Sequence, residues 1–244
     1  MFKINSILIF DLEGKFGHFK KYYSNVSSLT YQIPPRTVLT GLIASIMGRY
    51  PRDTYYEIFS PQNCKLSVRV ISPVRKHIEC LNYKKNNGVS TQVRLEILLP
   101  MKEKIVYRIY FTHFDDKIIA ALKQKLLDSD LGYGIYFGQR QFRANAIFHD
   151  EIDCRDLKIV KDPSAPIVSL TNKKNVKQFS DRKSMEIIET SMPCQMKKII
   201  NGRIQESMVN ICYERNGLPL FGNFKEAIEI RNDVNISFFT QMYK

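Results

Sequence analysis

Residues Leu29 to Gly48 read LTYQIPPRTVLTGLIASIMG and hold the helix around which the chain is organised. Pro34 and Pro35 fix φ near the helical value at a helix start, where a missing N–H costs nothing. Behind them Leu39, Leu42, Ile43, Ile46 and Met47 recur at spacings of three and four, so they form one apolar stripe. Gly41, Ala44, Ser45 and Gly48 form a second stripe of small residues beside it. An interior glycine costs about 1 kcal/mol relative to alanine. The small stripe therefore implies tight packing within one domain, or close approach by a strand, a second chain or a ligand backbone.

Before this helix, Ile7 to Phe10 is an apolar run fit for a buried strand, ended by Gly14. The loop that follows, KFGHFKKYYSNVSS, sets Lys15, His18, Lys20 and Lys21 among Phe16, Phe19 and Tyr22. Cations beside stackable rings suit single-stranded RNA. The alternative is that these rings fold inward on the core.

After the helix, Asp53 to Phe59 reads as a further helical turn. In KLSVRVISPVRKHI, Leu66, Val68 and Val70 face one way and Ser67, Arg69 and Ile71 the other, a strand whose continuation Pro73 places on an edge or beyond the sheet. VRLEILL is another strand and Lys104 to Phe111 a third, with Met101 to Glu103 expected as a tight hairpin turn between them. Together these predict a long basic hairpin projecting at about 75–94. It carries Arg75, Lys76, Lys84, Lys85 and Arg94, with Ile78, Leu81 and Tyr83 as candidate wedges between bases.

Asp115 and Asp116 can cap a helix buried through Ile118, Ile119, Leu122 and Leu126. Gly132, Gly134 and Gly138 then flank a strand-like core. Strand, helix, strand, strand, helix, strand is the split βαβ order, which predicts an α+β, ferredoxin-like (RRM-like) domain over residues 1–150. Residues 151–244 change character. Lys158–Val160, Ile167–Leu170, Ser184–Ile188, Gln205–Tyr213 and Asn235–Phe239 read as short β pieces. They predict a β-rich C-terminal elaboration, with DPSAP near residue 162 as the boundary.

The 37 Lys and Arg against 24 acids give a net charge of +13 and a pI near 9.5, the footprint of a polyanion binder. Richness in Lys, Ile and Asn together is also what an AT-biased genome would write. The five cysteines form no C-x-x-C pair and histidines number four, so neither a zinc site nor a disulfide framework is supported, and no cofactor is expected. The start lacks a signal-peptide pattern, and no apolar run approaches the roughly 18 residues of a membrane span. A reduced, cytoplasmic protein is the expectation.

Gly132, Gly134 and Gly138 are not followed by Lys and Ser/Thr, so they are no Walker loop. They can still offer backbone N–H groups to a phosphate chain, strengthened by Arg140 and Arg143, or they line a bend at the sheet end. For catalysis the candidates are His18, His77, His113 and His149. His18 with Lys20, Lys21 and Tyr22 is the local set a metal-free ribonuclease would use on a 2′-hydroxyl. No paired carboxylates and no Ser/His/Asp arrangement stand out.

Three stretches, FDLEGKFGHFKK, SLTYQIPPRTVLTGLIASIMG and YGIYFGQRQF, resemble the five-prime-handle-binding subunit of type I CRISPR Cascade complexes, a RAMP-superfamily protein, most like its subtype I-B form. The first two make one N-terminal match; the third is looser. The resemblance implies an RNA-binding ferredoxin-like domain with a projecting thumb, the 75–94 hairpin. It implies a subunit that caps one end of the complex, holds the 5′ handle of the guide RNA, contacts the adjacent backbone subunit and lies near the large subunit and the target DNA. The family's glycine-rich loop would be Gly132 to Gly138, and the Lys15–Lys21 loop and Arg36 would lie along the handle. One branch, in subtype I-C, is itself a guide-processing ribonuclease. That branch places a tyrosine where Met47 stands here, and a Lys-His pair where His113 follows Thr112. Both departures imply a non-catalytic subunit; a metal-independent endoribonuclease for repeat RNA is the alternative.

Overall fold

The computed structural model describes residues 4–24, 28–48, 54–84, 88–181, 184–231 and 234–241. It is β-rich, with two helices of twelve residues. The first half runs β1 (Ser6–Gly14), α1 (Arg36–Met47), β2 (Cys64–Ser72), β3 (Val74–Lys84), β4 (Ser90–Pro100), β5 (Ile105–His113), α2 (Asp116–Leu127) and β6 (Arg143–Asp153). The main sheet has the order β2-β5-β1-β6, with Ile135–Tyr136 as a short outer strand, and its pairs are antiparallel.

Alternation along these strands fixes which face meets which layer. Leu66, Phe111 and Leu8 align across the sheet, as do Val68, Ile109 and Phe10, and Val70, Tyr107 and Leu12. All nine are buried in one core with Leu39, Ile43 and Ile46 of α1 and Ile119 and Leu122 of α2. Burying each such aliphatic or aromatic side chain contributes about 1.5–3 kcal/mol.

Pro35 is the N-cap of α1 (φ −58°, ψ 155°), and its carbonyl accepts the first N–H bonds, from Val38 and Leu39. Gly48 closes the helix in the left-handed conformation (φ 66°), its N–H donating to the Ala44 carbonyl at 3.1 Å. Of the two glycines in the small stripe, only Gly41 is therefore interior. Asp115 caps α2 by accepting from the Lys117 N–H at 3.0 Å.

Two expectations about the middle of the chain change. Pro73 separates β2 from β3, and β3 pairs with β4 in a two-stranded ribbon outside the main sheet. Residues 101–104 are thus no hairpin turn: after them β5 leaves the ribbon and enters the sheet between β2 and β1. The ribbon is anchored at its base by buried Val74, Leu95 and Leu98 and by bridges from Gly17 to Leu98 and Ser28 to Leu95. Residues 75–82 of the ribbon are exposed in succession, as are residues 88–92 toward its far end.

The C-terminal residues wrap both faces of the sheet. β7 (Lys158–Lys161), β10 (Glu226–Ile230) and β11 (Val234–Ile236) form a small sheet; Ile228, Ile230, Ile236 and Phe238 pack on Ile7, Ile9, Tyr110 and Ile152. The other unit is a long ribbon of β8 (Ile187–Ile199) and β9 (Gly202–Glu214), thirteen residues each, against α1. Sequence reading expected only short pieces here. Pro193 interrupts the alternation, and the structure accommodates it with register shifts between Pro193 and Met196. Met192, Cys194, Val209, Ile211 and Tyr213 enter the first core. No helix among the described residues is long and apolar enough to cross a membrane.

Candidate nucleic-acid interface

The small stripe of α1 has two neighbours, and both are this chain. Near its C-terminus it meets the glycine segment: a Cβ on Gly132 would stand 2.4 Å from the Ser45 carbonyl oxygen and 2.7 Å from that of Ile46. The Tyr133 N–H donates to the Ser45 carbonyl at 3.1 Å, and the Ser45 hydroxyl donates to the Gly134 carbonyl at 2.6 Å. One turn earlier, Gly41 leaves room for Tyr55, whose hydroxyl lies 3.4 Å from where a Cβ would be.

Between these contacts a groove of about 600 Å³ remains open. Its floor is the exposed side of α1, with Thr37, Val38, Gly41 and Ser45. One wall is the glycine segment, Gly134 to Gly138, and another is Lys20, Lys21 and Tyr22 of the basic loop. Tyr55, Tyr56, Met196 and Arg203 close it. Among the described residues three cations and four tyrosines line this groove, and no carboxylate does. Positive charge positions phosphates, and an exposed ring such as Tyr22 offers its face to unpaired bases, whereas Tyr55 and Tyr136 are half-buried and Tyr56 is buried. Tyr22 is 52% exposed and meets Tyr23 edge-on at 5.0 Å; Lys21 donates to the Tyr23 hydroxyl at 3.0 Å and sits 5.7 Å over Tyr31. A second cavity of about 640 Å³, between residues 61–62 and the C-terminal strands, carries Glu206 beside Lys173 and Lys174 and so lacks this single sign of charge.

The glycine conformations hold the wall in place. Gly134 and Gly138 have φ of 77° and 87°, in the left-handed region that favours glycine. Gly138 abuts the backbone of His18, which ties the glycine segment to the basic loop. The His18 N–H donates to the Phe137 carbonyl at 2.9 Å.

Other sequence candidates fall in three places. Lys15, Phe16, Arg140 and Arg143 are exposed around the outer side of the glycine segment, where Phe16 packs 6.2 Å from Phe142. Arg75 and Lys84 are exposed on the projecting ribbon, and Lys76 there pairs with half-buried Glu96 at 3.0 Å. Lys85 and the side chain of Tyr83 lie outside the described residues.

Three candidates are corrected. Arg36 is 1% exposed: its guanidinium donates to the carbonyls of Phe59 (2.8 Å), Cys64 (3.2 Å) and Cys194 (3.1 Å) and faces no groove. Phe19 is buried against Tyr107 and Phe137, so this ring did fold inward. His18 is buried too. Its Nδ1 lies 2.7 Å from the Glu96 carbonyl oxygen, which can only accept, so Nδ1 carries the proton and Nε2 is left without a partner. Burial pushes the His18 pKa down. His113 is equally enclosed: Nε2 donates to the Ile58 carbonyl at 3.0 Å and Nδ1 accepts from the Asp115 N–H at 3.0 Å. Protonating it would cost that second bond, and burial lowers its pKa as well. Met47 is buried in the core.

Sequence reading missed Tyr55, Tyr56, Met196 and Arg203. Tyr55 and Tyr56 form a tyrosine pair with ring centroids 4.4 Å apart, and Arg203 donates to the Tyr56 hydroxyl at 2.8 Å across 147 residues of chain.

A family model described as CRISPR-associated protein (Cas_Cas5) matches residues 7–149, more than half of the chain. The chain belongs to the Cas5 family. The match spans the main sheet, both long helices, the projecting ribbon and the glycine segment of this Cas5 protein. A crystal structure of a CRISPR protein from Archaeoglobus fulgidus shares the fold, with a TM-score of 0.53 at 12% identity over 96% of this chain and 99% of that one. A chain of a CRISPR RNA-guided surveillance complex aligns at a TM-score of 0.47 and 13% identity, over 87% and 91% of the two chains. A chain of a type III-B Cmr-beta complex bound to cognate target RNA and AMPPnP aligns at 0.47 and 11%, over 91% and 86%. No curated protein matches this Cas5 sequence.

Proposed function

We propose that this Cas5-family protein is a non-catalytic subunit of a CRISPR RNA-guided surveillance complex, akin to the subtype I-B Cascade, and that it binds and caps the 5′ handle of the guide RNA. The observation that carries this is the groove on α1, whose lining among the described residues holds Lys20, Lys21, Arg203 and four tyrosines without a carboxylate. The strand order β2-β5-β1-β6 with two helices supports reading the first half as a ferredoxin-like domain. On this reading the β3–β4 ribbon is its thumb, reaching the adjacent backbone subunit, with the large subunit and target DNA nearby. Handle phosphates lie on Lys20 and Lys21, and unpaired bases stack on the exposed rings.

Enclosure of His18 and His113 supports holding RNA without cutting it, because a general base must reach the 2′-hydroxyl proton. The test is purification with the other complex subunits. Guide RNA should accompany the protein, and alanine at Lys20, Lys21 and Arg140 should release the handle. A complex without RNA, or handle binding indifferent to those changes, overturns the proposal.

A further inference from the structure

We infer that the tip of the β8–β9 ribbon carries a phosphate clamp, Lys198 with Arg203, for the RNA strand where it leaves the groove. This rests on the reading of the groove as an RNA site. It concerns residues beyond the family match, which ends at residue 149.

Lys198 and Arg203 are directly opposite in the antiparallel register, as are Met196 and Gln205. Opposed residues share a face, and residues two apart on a strand return to it. Met196 and Arg203 both line the groove, so the face bearing Lys198 continues the groove wall outward. Arg203 is held there by its bond to the Tyr56 hydroxyl at 2.8 Å.

Side chains directly opposite on a ribbon stand with Cβ atoms about 4.5–5.5 Å apart, close enough for two cations to share one anion. No carboxylate pairs with Lys198 among the described residues. Glu206, the acid near the tip, lines the other cavity. A phosphate lying between the two cations takes a charge-assisted bond from each. Beyond the pair the tip is apolar: Ile199, Ile200 and Ile204 are exposed, Ile200 completely. Cations on one face beside an apolar tip suit a strand whose phosphates and unpaired bases follow one another.

The test is a fluorescence-anisotropy titration of the full-length protein with labelled oligouridine RNA across a salt series. Each single-strand phosphate contact contributes about 0.7 to the slope of log K against log salt. Lys198→Ala should therefore reduce the slope by about 0.7, and Lys198→Ala with Arg203→Ala by about 1.4, while Lys198→Arg keeps it. Lys198→Ala alone alters an exposed side chain, so it reads the clamp without touching the bond to Tyr56. Wild-type slope and affinity in both alanine variants, with binding lost on Lys20→Ala and Lys21→Ala, overturn the clamp and leave the groove standing. A reduced slope in Lys198→Ala together with binding lost on Lys20→Ala and Lys21→Ala supports both, whereas loss in the ribbon variants alone overturns the groove and with it a clamp placed at the groove's exit. Binding indifferent to both sets overturns both.

Discussion

Gly138 stands against the backbone of His18: a Cβ on Gly138 would lie 1.8 Å from the His18 carbonyl oxygen. Through this contact the glycine segment and the basic loop become two walls of one groove. Gly138→Ala must relieve a backbone clash as well as adopt φ of 87°. Its expected cost is at least about 3 kcal/mol, above the roughly 1–2 kcal/mol for a left-handed residue alone. Gly88→Ala, with φ of 81° and nothing within 4 Å, should show only that smaller conformational cost. Chemical denaturation of the two variants checks the difference.

Arg36 is a structural cation. Arg36→Ala takes the guanidinium donors from three buried carbonyls, at Phe59, Cys64 and Cys194, of which Phe59 keeps the weak Cys64 thiol, and each buried group left unsatisfied costs about 1–3 kcal/mol. Destabilisation by about 3 kcal/mol or more is expected, while the folded fraction binds RNA with unchanged affinity. Reduced affinity at full folding would return Arg36 to the interface.

That residue also shows where sequence stops. Helix α1, its cap and its buried stripe were legible because proline, glycine and a 3.6-residue period are local signals. The fate of Arg36 was not, because its acceptors stand 23, 28 and 158 residues away. The small stripe announced a close neighbour without saying which; Gly132 and Tyr55 answer, and both belong to the same chain. The β8–β9 ribbon was read as fragments because Pro193 and its bulges break the period of two. Arg203 went unnoticed for the same reason.

Stability should fall in mild acid. Burial lowers the pKa of His18 and His113 in the folded state, so the unfolded chain binds more protons below its ordinary value near 6.5. Stability is then fully present above about pH 6.5 and is lost as pH falls below it, at up to about 1.4 kcal/mol per pH unit for each group. Urea unfolding between neutral pH and about pH 5 reads this slope, and His18→Gln should flatten it by up to one proton. An unchanged slope in that variant would show that His18 titrates normally.

The projecting ribbon and its base should separate cleanly. Replacing the exposed stretch between the paired residues Asn82 and Gln92 by a short turn removes little buried surface, so the melting temperature should barely move. Leu98→Ala, fully buried at the base, should cost about 2–5 kcal/mol. If the ribbon is the thumb, the shortened protein folds but no longer joins its partner subunits on size-exclusion chromatography.

Holding RNA without cutting it is tested most directly by incubating the full-length protein with CRISPR repeat RNA in EDTA. The same sample is run on native and on denaturing gels. The expected result is a shifted RNA that remains intact, with the shift lost on Lys20→Ala and Lys21→Ala. Specific cleavage that disappears in His18→Ala or His113→Ala, or an RNA that never shifts, would contradict it.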